Sequence, residues 1–200
     1  MARIVVPFRG AGAKRRLAAV GDEARSALAL AMLGDVLACC TALGPTSLVT
    51  EDEAAKLEGR ELGADLVADP GGGQSAAVAA ALADSDEPVL VVNADVPCAV
   101  PHDLRALIGA TPEGGLALTP AADGTTNALS LAEAGLYAPL YGPGSAARFC
   151  EHALSLGRDA VQAPIPNLAN DVDTMEDLHR LQFRLGPRSQ AALAMIAGAA

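Results

Sequence analysis

The run Pro88-Val89-Leu90-Val91-Val92-Asn93-Ala94-Asp95-Val96-Pro97 is apolar and rich in β-branched residues, then stops on a carboxylate and a proline. Such a run reads as a strand buried on both faces, which belongs in a sheet covered by helices on both sides. In an open parallel α/β sheet, ligands bind beyond the carboxyl ends of the strands, and that is where this strand delivers Asp95. A strand followed by an ordinary polar turn gives the same local pattern, so further acids are needed to assign Asp95 a role.

The rest of the chain sustains the alternation. Strands are expected at residues 3–7, 47–50, 65–69, 116–120 and 160–165, with a strand at 127–131 running back beside its neighbour. Helices are expected at 22–40, 51–62, 75–83 with Ser75 as N-cap, 101–109, from Ser145 onward, and at 174–185. This predicts an α/β fold: a three-layer, Rossmann-like, mainly parallel sheet with helices on both faces. Residues 1–186 are expected to form the single domain, and 187–200 a C-terminal tail that is either a short helix or a frayed end. With half of its residues apolar but only 2% aromatic, the core is built from Ala, Val and Leu.

A net charge of −10 excludes nucleic acid and anionic membranes as partners, because both require a broad basic surface. Small anionic ligands need only a local basic pocket. Cys39, Cys40, Cys98 and Cys150 lack C-x-x-C spacing and read as buried reduced thiols. No signal segment is expected, nor a run of the roughly 18 apolar residues that a membrane span needs, so the expected location is cytoplasmic.

Three segments can carry chemistry. Pro7 to Leu17 joins the first strand to the first long helix. Gly12 lets the backbone approach a phosphate, and Lys14, Arg15 and Arg16 supply charge, although neither the P-loop nor the dinucleotide fingerprint is present. A solvated basic turn is the plain alternative. Pro70-Gly71-Gly72-Gly73-Gln74-Ser75 is a second Gly-rich loop, whose backbone amides at Gly72, Gly73 and Ser75 could read a nucleobase. In Asn170-Asp171-Val172-Asp173-Thr174-Met175-Glu176-Asp177, a capping box (Asp173 with Glu176, or Thr174 with Asp177) explains one acid and leaves Asp171 unexplained. If Asp95, Asp171 and Asp173 meet within about 4 Å, each pair repels by roughly 4 kcal/mol at an effective dielectric near 20. A divalent cation relieves this, and oxygen-only ligands favour Mg2+. His102, His152 and His179 lack ligand spacing and read as surface or core residues.

Ala13-Lys14-x-Arg16-Leu17, Met32-Leu33-x-Asp35-Val36, Asn93-Ala94-Asp95-Val96-Pro97, Asp123-Gly124-Thr125-Thr126-Asn127-Ala128-Leu129, Tyr141-Gly142-Pro143-Gly144-Ser145 and Asp171-Val172-Asp173-Thr174-x-Glu176-Asp177-Leu178 together resemble one family. It is the phosphoenolpyruvate/2-phospho-L-lactate guanylyltransferase family of deazaflavin coenzyme (F-420) biosynthesis, and the resemblance runs from about residue 3 to 180. It implies a nucleotidyltransferase sheet like that of molybdenum-cofactor guanylyltransferases, and the joining of GMP from GTP to phosphoenolpyruvate, 2-phospholactate or 3-phosphoglycerate, with release of pyrophosphate. It further implies that Asp95, Asp171 and Asp173 hold Mg2+, that Lys14 and Arg16 meet the triphosphate, and that Thr126, Gly142 and Ser145 hold the acceptor. The partners to expect are GTP, a small phosphorylated acid, a second copy of the chain in a homodimer, and the next pathway enzyme for handover. Phe8-Arg9 stands where the family has a Lys and a longer spacer, and Gln74-Ser75 where it has Gly-x-Asn or Leu-Asn. The Asp-Gly-Thr loop is one residue short, so either Thr125 or Thr126 contacts the acceptor. The alternatives are a molybdenum-cofactor or sugar-phosphate transferase on the same sheet, and a non-catalytic nucleotide-binding module.

Overall fold

The structure, a computed structural model, describes residues 2–10, 21–83 and 85–198. Among these, the strands β1 (Arg3–Pro7), β2 (Thr46–Val49), β3 (Asp65–Val67), β4 (Val89–Val92), β5 (Leu116–Pro120), β6 (Thr126–Leu131) and β7 (Ala160–Gln162) form one sheet in the order β3-β2-β1-β4-β6-β5-β7. Strand β6 is antiparallel to both of its neighbours, and the other pairings are parallel. The helices are α1 (Asp22–Thr41), α2 (Glu53–Glu61), α3 (Gln74–Leu82), α4 (Pro101–Gly109), α5 (Ser145–Ser155), α6 (Met175–Leu181) and α7 (Pro187–Gly198). The expected three-layer, mainly parallel nucleotidyltransferase architecture is what forms.

The period-2 geometry of the strands sorts the core into two halves. Ile4 and Val6 of β1, with Leu90 and Val92 of β4, pack under Leu33, Val36 and Leu37 of α1 and Leu104 and Leu107 of α4. Val5, Val89 and Val91 face the other way, against Val78 of α3 and Phe149 of α5. Helix α1 is buried on a second side as well, where Leu28 and Met32 meet Leu178 and Leu181 of α6 and Ala192 of α7. A helix enclosed from both sides is apolar almost all round. By length and composition α1 is long and apolar enough to cross a membrane, an 18-residue window of it having a mean hydropathy of 1.4, although Asp35 interrupts its apolar run. In the fold it is the central core helix.

Several boundaries differ from the expected ones; β3 stops at Val67 rather than at residue 69, and α2 is Glu53–Glu61 rather than 51–62. Strand β7 stops at Gln162 rather than Ile165: the Ala163 N–H still donates to the Leu118 carbonyl (2.8 Å), but Pro120, closing β5, has no N–H to return to the Ala163 carbonyl, which accepts the Thr119 hydroxyl instead (2.8 Å). Helix α6 ends at Leu181 rather than Leu185, where the chain turns so that Leu185 is buried and the Gly186 N–H reaches the Pro97 carbonyl (2.8 Å). Helix α3 begins one residue early with Gly73, not Ser75, at its N-cap.

The tail after Pro187 is a helix, anchored by an acid from the middle of α1. Asp35, 7% exposed, accepts the Arg188 N–H at 3.0 Å and the Ser189 N–H at 2.8 Å, filling the N-cap role of α7 from outside it. A Cβ on Gly186 would land on the Asp35 carboxylate, so the approach of α7 requires glycine there. Asp35→Ala leaves two buried amides without their acceptor and is expected to lower unfolding free energy by about 1–3 kcal/mol. Chemical denaturation measures this, and an unchanged midpoint and slope would contradict the anchoring role.

Candidate active site

One edge of the sheet collects the polar residues. The parallel strands end there, and β6, running the other way, begins there, so Asn93 at the end of β4 lies beside Asn127 at the start of β6. The Asn93 N–H donates to the Asn127 carbonyl at 2.9 Å. Beyond β7 the chain crosses back along this edge, and the Val172 N–H donates to the Asp95 carbonyl at 2.9 Å. Val172 is buried with Leu28, Met32 and Leu178. In an extended Asp-Val-Asp segment, driving the middle side chain into the core turns both flanking carboxylates to the opposite side.

Asp95, Asp171 and Asp173 therefore converge, with one carboxylate oxygen from each within 4.8 Å of the others. All three are half-buried. Burial pushes the Asp171 carboxyl above the usual carboxylate range, the charge of Asp95 adds to this, and the Asn127 amide, donating to Asp171 Oδ1 at 3.3 Å, opposes it. Three like charges at this separation repel by roughly 3 kcal/mol per pair at an effective dielectric near 20. A donor set of carboxylate oxygens alone fits a hard divalent cation such as Mg2+.

Of the two capping boxes the sequence allows, the structure contains Thr174 with Asp177. Thr174 Oγ1 accepts the Asp177 N–H (3.2 Å), while Asp177 Oδ2 accepts the Thr174 N–H (3.0 Å). Asp173 is not the cap. Burial would raise the Asp177 carboxyl, but the Arg180 guanidinium and Thr174 hold it below its ordinary range.

The acids stand between two clefts. A cleft of about 600 Å3 is lined by Phe8, Arg9 and Gly10 beyond β1, Met32 of α1, Gln74 at the start of α3, and Asn93 and Asp95 beyond β4. A second, of about 510 Å3, is lined by Asp123, Asp171, Asp173, Asp177 and Arg180. Polar side chains run from one to the other: Gln74 Nε2 donates to Asn93 Oδ1 (2.6 Å), Asn93 Nδ2 donates to the Thr126 carbonyl (3.1 Å), and neighbouring Asn127 reaches Asp171.

Gly12, Lys14 and Arg16 lie outside the described residues. Gly71, Gly72 and Gly73 all take φ between 79° and 100°, a run of left-handed residues that only glycine adopts without strain. The Ser75 hydroxyl accepts the Tyr141 N–H at 3.2 Å. Thr126 and Ser145, 1% and 0% exposed, are hydrogen-bonded to each other at 3.0 Å. Half-exposed Thr125 donates its hydroxyl to Asp123 Oδ1 (2.6 Å). Gly142, with φ of 124°, is half-buried in the loop before α5.

Cys39, Cys40 and Cys98 are buried as expected, whereas Cys150 is only half-buried, at the margin of the α5 face that packs on the core. Burial, assisted by Asp103, pushes the Cys39 thiol up to about 12, so it does not ionise at neutral pH. His102 and His179 are exposed and His152 is half-buried, all away from the acids. Sequence reasoning gave no role to Arg9, Gln74, Asn93 or Asn127. Their signals were membership of the motifs quoted above, for Asn93 and Asn127, and position: each ends a strand, begins one, or follows the glycine run at the same sheet edge.

Comparison with known proteins gives the family and the fold. Residues 2–186 match the family model described as Guanylyl transferase CofC like. A phosphoenolpyruvate guanylyltransferase from Streptomyces coelicolor is 38% identical, covering 98% of both chains. A 2-phospho-L-lactate guanylyltransferase from Methanosphaerula palustris is 34% identical over 94% of this chain and 87% of its own length. Among solved structures, a Desulfovibrio desulfuricans protein ascribed to the nucleotide-diphospho-sugar transferases superimposes with a TM-score of 0.79 at 18% identity, covering 99% of this chain and 96% of that one, a likeness of fold. The two clefts meeting at three acids thus belong to a nucleotidyltransferase, and the chain is a member of the CofC-like guanylyltransferase family.

Proposed function

We propose that this protein transfers GMP from GTP to the phosphate of a three-carbon acid, releasing pyrophosphate, as a step in coenzyme F-420 biosynthesis. Phosphoenolpyruvate is the first candidate acceptor, with 2-phospho-L-lactate and 3-phosphoglycerate as the others. The observation that carries this reading is the placement of three carboxylates between two clefts, one for each substrate. Relatives from Streptomyces coelicolor and Roseiflexus castenholzii are named phosphoenolpyruvate guanylyltransferases, which favours that acid.

In the proposed reaction a phosphate oxygen of the acceptor attacks the α-phosphorus of GTP in line. The new P–O bond forms as the bond to the bridging oxygen of the β-phosphate breaks, and the electron pair leaves with pyrophosphate. The nucleophile is already ionised at neutral pH, so no histidine or cysteine base is required. Positioning and charge stabilisation then account for the rate. Asp95, Asp171 and Asp173 would hold Mg2+, which when bound neutralises phosphate charge and orients the phosphates. Arg9, with Lys14 and Arg16, supplies cations beside the triphosphate. The positive end of α5, with Gly142 in front and Thr126 and Ser145 beneath, suits the anionic acceptor.

Incubation with Mg2+, α-labelled GTP and each phosphoacid in turn should yield labelled product and pyrophosphate with phosphoenolpyruvate; label transferred to none of the three acids would refute the reading. Asp171→Asn removes a like charge as well as a ligand. Its turnover should fall by more than about 100-fold, while its melting temperature without Mg2+ stays level or rises. Added Mg2+ should stabilise the wild type and not the variant, and equal Mg2+ stabilisation of both would remove Asp171 from the metal site. Ser145→Ala should raise the acceptor KM by about tenfold with little change in that for GTP, and equal shifts would place the acceptor elsewhere.

A further inference from the structure

We infer that Ser75 is a positioning residue for the acceptor loop, and that the first turn of α3 couples the two substrate clefts. The inference rests on the proposed placement of the acceptor at the Tyr141–Ser145 loop.

Ser75 makes two bonds to the segment that leads into that loop. Its carbonyl accepts the Tyr137 O–H at 2.9 Å, and its hydroxyl accepts the Tyr141 N–H at 3.2 Å. Tyr141 is the last residue before Gly142-Pro143-Gly144, whose two glycines take φ of 124° and 70°. A loop of this kind has few side chains of its own to fix its position, so it depends on what holds its ends. At the far end the Ser145 N–H donates to the Gly142 carbonyl (3.0 Å), and Ser145 Oγ pairs with Thr126 Oγ1. At the near end the Tyr141 ring packs edge-on against Phe149, with centroids 5.2 Å apart, which holds the ring but leaves the backbone amide to be placed by Ser75.

The neighbouring residue works on the other side. Gln74 lines the 600 Å3 cleft and donates to Asn93, two residues before Asp95. Consecutive residues on a helix point about 100° apart, and here that divergence sends one side chain to the nucleotide cleft and the next to the acceptor loop. A hydroxyl at position 75 is therefore read as an acceptor-side feature, although it follows the Gly-rich loop proposed to meet the nucleotide.

The test compares Ser75→Ala and Ser75→Thr with the wild type in two readouts. By amide hydrogen exchange, residues 140–145 should exchange faster in Ser75→Ala and return toward wild-type protection in Ser75→Thr, with the rest of the chain unaltered. In steady-state kinetics Ser75→Ala should raise the KM for the phosphoacid by about three- to tenfold and leave that for GTP within about twofold. Unchanged exchange at 140–145, or a rise in the GTP KM alone, would overturn the inference. Should the wild type transfer GMP to no phosphoacid, the proposed function fails. The exchange measurement then still decides whether Ser75 fixes the loop.

Discussion

The site depends on one backbone hydrogen bond, from the Val172 N–H to the Asp95 carbonyl. It joins two segments more than seventy residues apart in sequence, tying Asp95 to the residue that stands between Asp171 and Asp173. The bond is reinforced from the core side, since Val172 is buried against α1 and α6. From the solvent side the same arrangement forces like charges together. The fold thus uses apolar burial to hold a cluster that electrostatics alone would disperse.

The C-terminal helix belongs to this support. Gly186 donates to the Pro97 carbonyl, two residues beyond Asp95, and Asp35 of α1 takes the first amides of α7. Met32, less than one turn earlier on α1, lines the larger cleft. Helix α1 therefore contacts the cleft, the tail and the sheet at once. That enclosure explains why its sequence is apolar enough to resemble a membrane-spanning segment.

Much of the fold was legible in the sequence because its signals are local. The Val-rich run of β4 and the glycine or proline stops after the helices fix element type, and the reversal of β6 was readable from its short connection to β5. The Asp-Val-Asp alternation gave the acid pair. What escaped was set by tertiary contacts. Ser75 looked like an N-cap because it precedes an Ala-rich run, yet Gly73 fills that place and the hydroxyl serves Tyr141. Cys150 looked buried because cysteines usually are, but it lies at the margin of the core-facing side of α5 and is half-buried. Asn93 and Asn127 carry no motif of their own chemistry, and their role emerges only when antiparallel β6 lays one beside the other.

The central claim is that Asp95, Asp171 and Asp173 share a cation beside the nucleotide cleft. Crystals grown with Mn2+ in place of Mg2+, measured at the manganese absorption edge, test it directly. The account predicts an anomalous peak bonded by one carboxylate oxygen from each of the three residues. A peak held by Asp171 and Asp173 with Asp95 turned away, or no peak between them at saturating Mn2+, would contradict it.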